Sequence, residues 1–368
     1  EMTTFRTELD PTALAACIEE GRLDTYLPLL RECLVTGEPF SDPFFPATYD
    51  TLGDGDAAKK VRSWRRPADY YRGQEPICLI SAKTDPCDVI QGELGTCYFL
   101  GALSLVASRP HLFAQLFVPT GLEHLGLYSV RFYKNGAWKI VTVDDQIPCN
   151  DKGLPAYGHN SNPNEIWVVI LEKAYAKLHH SYQNIDGGNG GNTQDALVDL
   201  TAGIPEEFSF ADMQRDIAAA RLFTKLFDYV AAGHLLCCAY VPNSQMKVDP
   251  LGIQELHAYS ILDVRVVEGQ QMLQLRNPYG GISGDWKGAW WDRCELWTPS
   301  TLAATGYTPG TRNGVFWMSY YDFIQRFHIV HIVRLLGTKT PPPVLASAVA
   351  AAAAAGPQRQ QSLRSTRH

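Results

Sequence analysis

The sequence predicts an α+β fold of two lobes with a cleft between them, and three features carry that prediction. Helical apolar spacing dominates the chain up to about residue 232. From residue 257 onward the apolar residues alternate, which is the period of a half-buried strand. A chain of 368 residues that is 45% apolar and 19% charged can bury a core in each lobe, and it is neither wholly disordered nor fibrous. The change of period sets a boundary near 200–215 and suggests facing lobes. The ranges that follow are a helical extension over 1–39, a first lobe over 40–205, a second lobe over 206–338 and a low-complexity tail over 339–368.

Taken in order, residues 9–36 read as helical, with Pro11 suited to a helix start and Leu14, Ile18 and most of Leu27 to Leu34 apolar. Residues 97–108 are apolar on all sides, as in a buried helix, and end before Pro110. Residues 128–143 alternate about Asn135-Gly136, a strong hairpin signal. Helical spacing returns at 164–179 through Trp167, Ile170, Leu171, Ala174 and Leu178. Gly187 to Gly191 lacks the spacing of a phosphate-binding loop and reads as a flexible connection. An amphipathic helix at 218–232 ends at Gly233, and 257–267 with 271–276 read as paired strands. The tail carries Pro341-Pro342-Pro343 and an alanine-rich stretch over 344–355, a composition for a linker or frayed end.

Composition narrows the function classes. Lys and Arg number 32 against 39 Asp and Glu, for a net charge of −7, which argues against nucleic acid or an anionic membrane as the main partner. No apolar run is long enough for a membrane span, and the start carries Arg6, Glu8 and Asp10 where a signal peptide needs an apolar stretch. The first residue is Glu1, so the expectation is a piece of a longer protein with flanking domains. Nine cysteines, an odd number with no CxxC, point to unbridged thiols in a reducing, cytoplasmic setting.

One of those cysteines stands in a chemically distinct place. Cys97 follows a loop with two glycines, Gly92 and Gly95, and opens the predicted buried helix. There the helix dipole favours a thiolate and can stabilise an oxyanion. Gln91, six residues earlier, can supply an amide N–H as a second oxyanion donor. His257 begins one strand of the predicted hairpin and Asn277 follows the other, so both lie at its open end. An Asn oxygen there can accept from one imidazole nitrogen and aim the other at the thiol. The order Cys, His, Asn resembles the papain arrangement, in which His and Asn lie roughly 130–150 residues beyond the Cys.

These residues carry a family resemblance. Gln91-Gly92-Glu93-Leu94-Gly95-Thr96-Cys97-Tyr98-Phe99-Leu100 resembles the calpain nucleophile motif Q-G-x-L-G-x-C-[WY]-x-L. His257-Ala258-Tyr259-Ser260 and Arg276-Asn277-Pro278-Tyr279-Gly280 resemble the histidine and asparagine motifs of that family. Phe40 to Ala47, Trp64 to Pro67, Asn164 to Trp167, Leu171 to Lys177 and Phe316 to Ser319 extend the likeness over roughly 40–335. The resemblance implies a papain-like cysteine endopeptidase core acting on protein substrates, with Cys97 and Gln91 in the first lobe and His257 and Asn277 in the second. It implies acyl transfer through a Cys97 thioester, with His257 as acid and base and Asn277 as its orienter.

The resemblance also implies regulatory calcium. The first-lobe side-chain ligands map to Asp88 and Glu165, with carbonyls from the loop near 81–83. The second-lobe ligands map to Asp285, Asp292 and Asn313, where Asn313 brings a neutral oxygen and 280–285 runs two residues long. Two further departures are Leu256, where the family commonly has glycine before the histidine, and Tyr279, where it has the tryptophan that shields the asparagine. A calpain-like scaffold without turnover is the alternative reading. Other acyl-transfer enzymes on the same triad would need flanking motifs that are absent here.

Overall fold

The computed structural model describes residues 9–81, 84–189, 191–240, 250–282 and 286–336. The N-terminal segment is two helices rather than one run, α1 (Pro11–Ala15) and α2 (Leu23–Thr36), because Gly21 turns the chain between them with φ of 74°. Asp10 caps α1 by accepting from the Thr12 N–H, with proline in the first turn. Leu14, Ile18, Tyr26 and Leu30 bury their side chains against Phe40, Leu122, Leu125 and Leu127.

The α3 helix (Cys97–Ala107) follows the expected buried run, and Phe99, Leu100, Ala102, Leu103 and Val106 are wholly buried. Strands β1 (Phe117–Val118), β2 (Leu127–Lys134) and β3 (Ala137–Asp144) form an antiparallel sheet. Asn135 and Gly136 join β2 to β3 with φ of 53° and 82°, the left-handed pair that a tight hairpin turn requires. Helix α4 (Trp167–Leu178) is buried along most of its length and turns charged residues inward. Lys173 donates to Asp144 at 2.5 Å and to the Gln146 carbonyl at 2.7 Å. Lys177 pairs with Asp42 at 2.8 Å and Glu19 at 2.7 Å, which ties α4 to the N-terminal segment. Gly187–Asn189 form a single 3-10 turn, and Gly190 lies outside the described residues.

The strand-rich half is a six-stranded sheet built from β4 (Ile204–Ser209), β5 (Leu235–Tyr240), β6 (His257–Val267), β7 (Gln270–Arg276), β8 (Val315–Ser319) and β9 (Ile329–Arg334). Its order is β8-β7-β6-β5-β9-β4, and each neighbouring pair is antiparallel. Helix α5 (Arg221–Ala231) buries Leu222, Phe223 and Leu226 with Leu236, Cys238, Tyr259 and Ile261 of the sheet.

The chain gathers into two compact units. One comprises the described chain through Thr96, Val106–Asn192 and Asp199–Thr201; the other comprises Cys97–Leu105, Thr193–Val198 and the described chain from Ala202 onward. Most of α3 therefore groups with the strand-rich unit, although the sequence boundary near 205 sets it with the first lobe. The tail expected over 339–368 lies outside the described residues. Among the described residues no helix is long and apolar enough to cross a membrane.

Candidate active site

The β6–β7 hairpin turns at Glu268 and Gly269, with φ of 49° and 80°, and pairs Val267 with Gln270. Its register slips between Ile261 and Asp263, so Leu262 is an extra residue on β6, and pairing resumes as Ile261 with Leu275 and Ser260 with Arg276. One step further, this register sets Asn277 opposite Tyr259, on the face that His257 shares. Without the slip Asn277 would lie opposite Ser260, on the other face. The bulge is thus what lets the two side chains meet.

They meet at hydrogen-bond distance. His257 Nε2 and Asn277 Oδ1 are 2.8 Å apart. The Tyr279 backbone N–H donates to the same Oδ1 at 3.0 Å, which marks that atom as the acceptor and makes Nε2 the protonated nitrogen of the neutral ring. Nδ1 is then the unprotonated nitrogen. Asn277 is held by its own N–H, which donates to the Gly314 carbonyl at 2.9 Å. Gly314 has φ of 80°, and a Cβ there would stand 2.3 Å from the Asn277 carbonyl oxygen, so a side chain is excluded. The Tyr279 ring stacks on His257 with centroids 4.5 Å apart and planes 5° from parallel. Burial pushes the imidazole pKa down to about 4 against the opposing Asn277 hydrogen bond, so His257 is neutral at pH 7.

Cys97 is half-buried at the first residue of α3. Two contacts seat this helix on the hairpin. Ser260 Oγ donates to the Gly101 carbonyl at 2.9 Å, and Arg276 Nη1 donates to Ser104 Oγ at 3.2 Å. Both Ser260 and Arg276 are wholly buried. Burial raises the Tyr259 hydroxyl pKa. Cys97, His257 and Asn277 belong to one compact unit, and Gln91 belongs to the other. Gln91 is buried, and its Nε2 donates to the Leu94 carbonyl at 2.9 Å, which uses one of its two amide hydrogens. Leu256, directly before His257, is 77% exposed and has φ of 51°, a conformation that glycine adopts freely and leucine does not.

The acids of the first calcium mapping lie on neighbouring segments. Glu165 bridges to Cys78, and the Ser161 N–H donates to the Asp88 carbonyl at 2.8 Å. Glu165 accepts from the Ser81 hydroxyl, from Thr84 Oγ1 at 2.9 Å and from Trp167 Nε1 at 3.0 Å. Asp88 accepts from Ser161 Oγ at 2.6 Å and from the Asp85 N–H at 2.7 Å. This donor set, two carboxylates with flanking hydroxyls, fits a hard cation by type. Ala82 and Lys83 of the mapped carbonyl loop lie outside the described residues.

The second mapping meets different chemistry. Asp285 lies outside the described residues. Asp292 accepts from the Tyr307 hydroxyl and from the Gly310 N–H at 3.0 Å. Asn313 Oδ1 accepts from the Val315 N–H and Thr311 Oγ1, both at 3.1 Å. Lys287, Arg293 and Arg312 line the same cavity of about 560 Å³ as Asp292, a charge environment that opposes a cation. Among the described residues no group of three or more His, Cys, Asp or Glu is disposed to hold a metal.

A thiol at a helix start and a neutral imidazole whose tautomer is fixed by an amide are the components of a cysteine peptidase. Residues 40–334 match the family described as calpain family cysteine protease. The chain belongs to the calpain family of cysteine proteases. It is 38% identical over 319 residues to the calpain-type cysteine protease ADL1 of Oryza sativa subsp. japonica, covering 83% of this chain and 14% of that protein. It is 39% identical over 281 residues to the calpain-type cysteine protease DEK1 of Zea mays, covering 75% of this chain and 13% of that protein. Calpain-A of Drosophila melanogaster is 32% identical over 331 residues, covering 86% of this chain and 38% of that protein. The chain thus spans only a small part of the length of these calpain relatives.

Ser260, Arg276 and Glu172 have structural roles at the site that sequence reasoning did not assign. Each lies inside a quoted motif, so the signal was present without a stated partner. The structure supplies those partners: Gly101, Ser104 and Thr96.

Proposed function

We propose that this chain is the catalytic core of a calcium-regulated cysteine endopeptidase with a papain-like two-lobed arrangement. The observation that carries the reading is the His257–Asn277 hydrogen bond at 2.8 Å, with the Tyr279 N–H fixing which imidazole nitrogen is basic. His257 Nδ1 takes the Cys97 proton, and the thiolate attacks a peptide carbonyl carbon. The oxyanion takes hydrogen bonds from the Cys97 N–H and the Gln91 amide. As the C–N bond breaks, imidazolium returns its proton to the leaving amine, which leaves a Cys97 thioester. His257 then accepts a proton from water as it attacks, and the thiol regains its proton when the thioester opens. Asn277 holds the ring in the productive tautomer throughout, and Tyr279 covers that pair from water.

Asp88 and Glu165 are the residues that would hold calcium, and the second mapping carries no step because cations line its cavity. When bound, the ion supplies charge that draws oxygen ligands from separate segments together. The substrates are extended protein segments, and the core works within a longer protein, as the length of the relatives suggests. An odd number of cysteines with no CxxC supports a reducing, cytoplasmic setting. A thiol-directed peptidyl epoxide tests the assignment. It should label Cys97 at millimolar calcium and far less with chelator, and Asp88→Ala or Glu165→Ala should abolish the difference. No labelling of Cys97 in calcium would refute the peptidase, and an unchanged calcium response in both variants would refute the first-site ligands.

A further inference from the structure

Glu172 is a carboxyl group in the core of α4 that is only 2% exposed. No ion pair offsets its charge among the described residues. The adjacent Lys173 is engaged by Asp144 and the Gln146 carbonyl. The titratable groups facing Glu172 are the hydroxyls of Tyr157 and Tyr182, whose pKa values are raised by burial first and by the carboxylate second. An uncompensated buried carboxylate is costly.

The loop before the nucleophile is what it holds. Glu172 Oε1 accepts from Thr96 Oγ1 at 2.7 Å, and Oε2 accepts from the Gly158 N–H at 2.7 Å. Thr96 is wholly buried and is bonded directly to Cys97. The same segment grips the loop at its other end, where the Glu93 N–H donates to the Ala156 carbonyl at 2.9 Å. Two glycines mark how closely these pieces lie. A Cβ at Gly158 would stand 2.9 Å from Glu172 Oε1, and a Cβ at Gly92 would stand 2.5 Å from the Ala156 and Tyr157 carbonyl oxygens. The loop 91–96, the segment 156–158 and α4 are thus locked together through one carboxylate and two positions with no room for a side chain.

We infer that Glu172 is a positioning residue for the peptidase reaction: its carboxylate clamps Thr96 to Gly158 and so fixes where the chain delivers Cys97. This rests on the proposed peptidase function. The ionised form is the one that accepts from both donors without an acid proton to place. Burial pushes the carboxyl up to about 7, against the lowering effect of its two hydrogen bonds, so the clamp titrates near neutrality. A glutamine keeps the shape and removes the charge. Its NH₂ cannot accept from Gly158, so it must face Thr96 and donate to that hydroxyl oxygen, whose own O–H then turns away.

The test compares wild type with Glu172→Gln, Thr96→Val and Thr96→Ser. Glu172→Gln and Thr96→Val should each lower kcat about tenfold or more with KM within about twofold, as the loss of a charge-assisted hydrogen bond requires. Thr96→Ser should retain activity, and the double variant should be no worse than either single one. The acid limb of the wild-type pH profile near 7 should vanish in Glu172→Gln. The folded carboxyl holds its proton to higher pH than the unfolded one, so wild-type stability should fall as pH rises from 4.5 through about 7, and the variant should lose that slope. Iodoacetamide alkylation of Cys97 needs no turnover. Should wild type hydrolyse nothing, the peptidase reading fails, and the alkylation rates of the same variants still decide the clamp. Unchanged kcat or alkylation with an unchanged pH profile in Glu172→Gln, or additive losses in the double variant, would overturn it.

Discussion

Replacing Asn277 by alanine tests the arrangement at its narrowest point. Asn277 Oδ1 serves two donors, the imidazole Nε2 at 2.8 Å and the Tyr279 N–H at 3.0 Å, and both Asn277 and His257 are almost wholly buried. Alanine leaves both donors without that acceptor, the imidazole being buried, and an unsatisfied buried donor costs about 1–3 kcal/mol. The cost is larger in the transition state, where the imidazolium donates from both nitrogens. A loss of about 1–3 kcal/mol corresponds to roughly 5–150-fold in kcat/KM, expressed in kcat because no substrate contact is removed. Hydrolysis of a fluorogenic peptide measures this, and urea unfolding monitors the fold alongside. Asn277→Asp provides a contrast. A carboxylate in place of the amide favours the charged ring, so the His257 pKa, held at about 4 by burial, should rise. A kcat within twofold of wild type in Asn277→Ala, or a loss confined to KM, would refute the reasoning that this hydrogen bond fixes the base.

Two further predictions concern the frame around the site. Ser260→Ala removes the buried donor to the Gly101 carbonyl and should destabilise the protein by about 1–3 kcal/mol in urea, with a lower Cys97 alkylation rate as α3 loosens; no change in either would show that the contact does not seat the helix. Leu256→Gly relieves the left-handed backbone at an exposed position and should raise stability by up to about 1 kcal/mol, read as a higher melting temperature; a lower one would show that the leucine side chain is needed there.

Much of the architecture is legible without coordinates, because local rules dictate it. The largely apolar run at 97–107 demands a buried helix, and Asn135-Gly136 supplies the two left-handed residues of a hairpin turn. The alternation from 257 demands strands, and the motifs around Cys97, His257 and Asn277 announce the chemistry. The expectation for 9–36 missed only the break at Gly21. Tertiary structure decided three things that local rules do not reach. The bulge at Leu262 selects the face on which Asn277 stands, and a one-residue register slip leaves no trace in a period-two pattern. The grouping of Cys97–Leu105 with the strand-rich unit depends on Ser260–Gly101 and Arg276–Ser104, hydrogen bonds between residues 159 and 172 positions apart. The charge environment at Asp292 depends on which cations converge around it. Sequence alone determined the elements and the candidate site residues, since periodicity and motif are properties of neighbours along the chain. Structure decided how those residues are aimed and held, since register, burial and convergent charge are properties of neighbours in space.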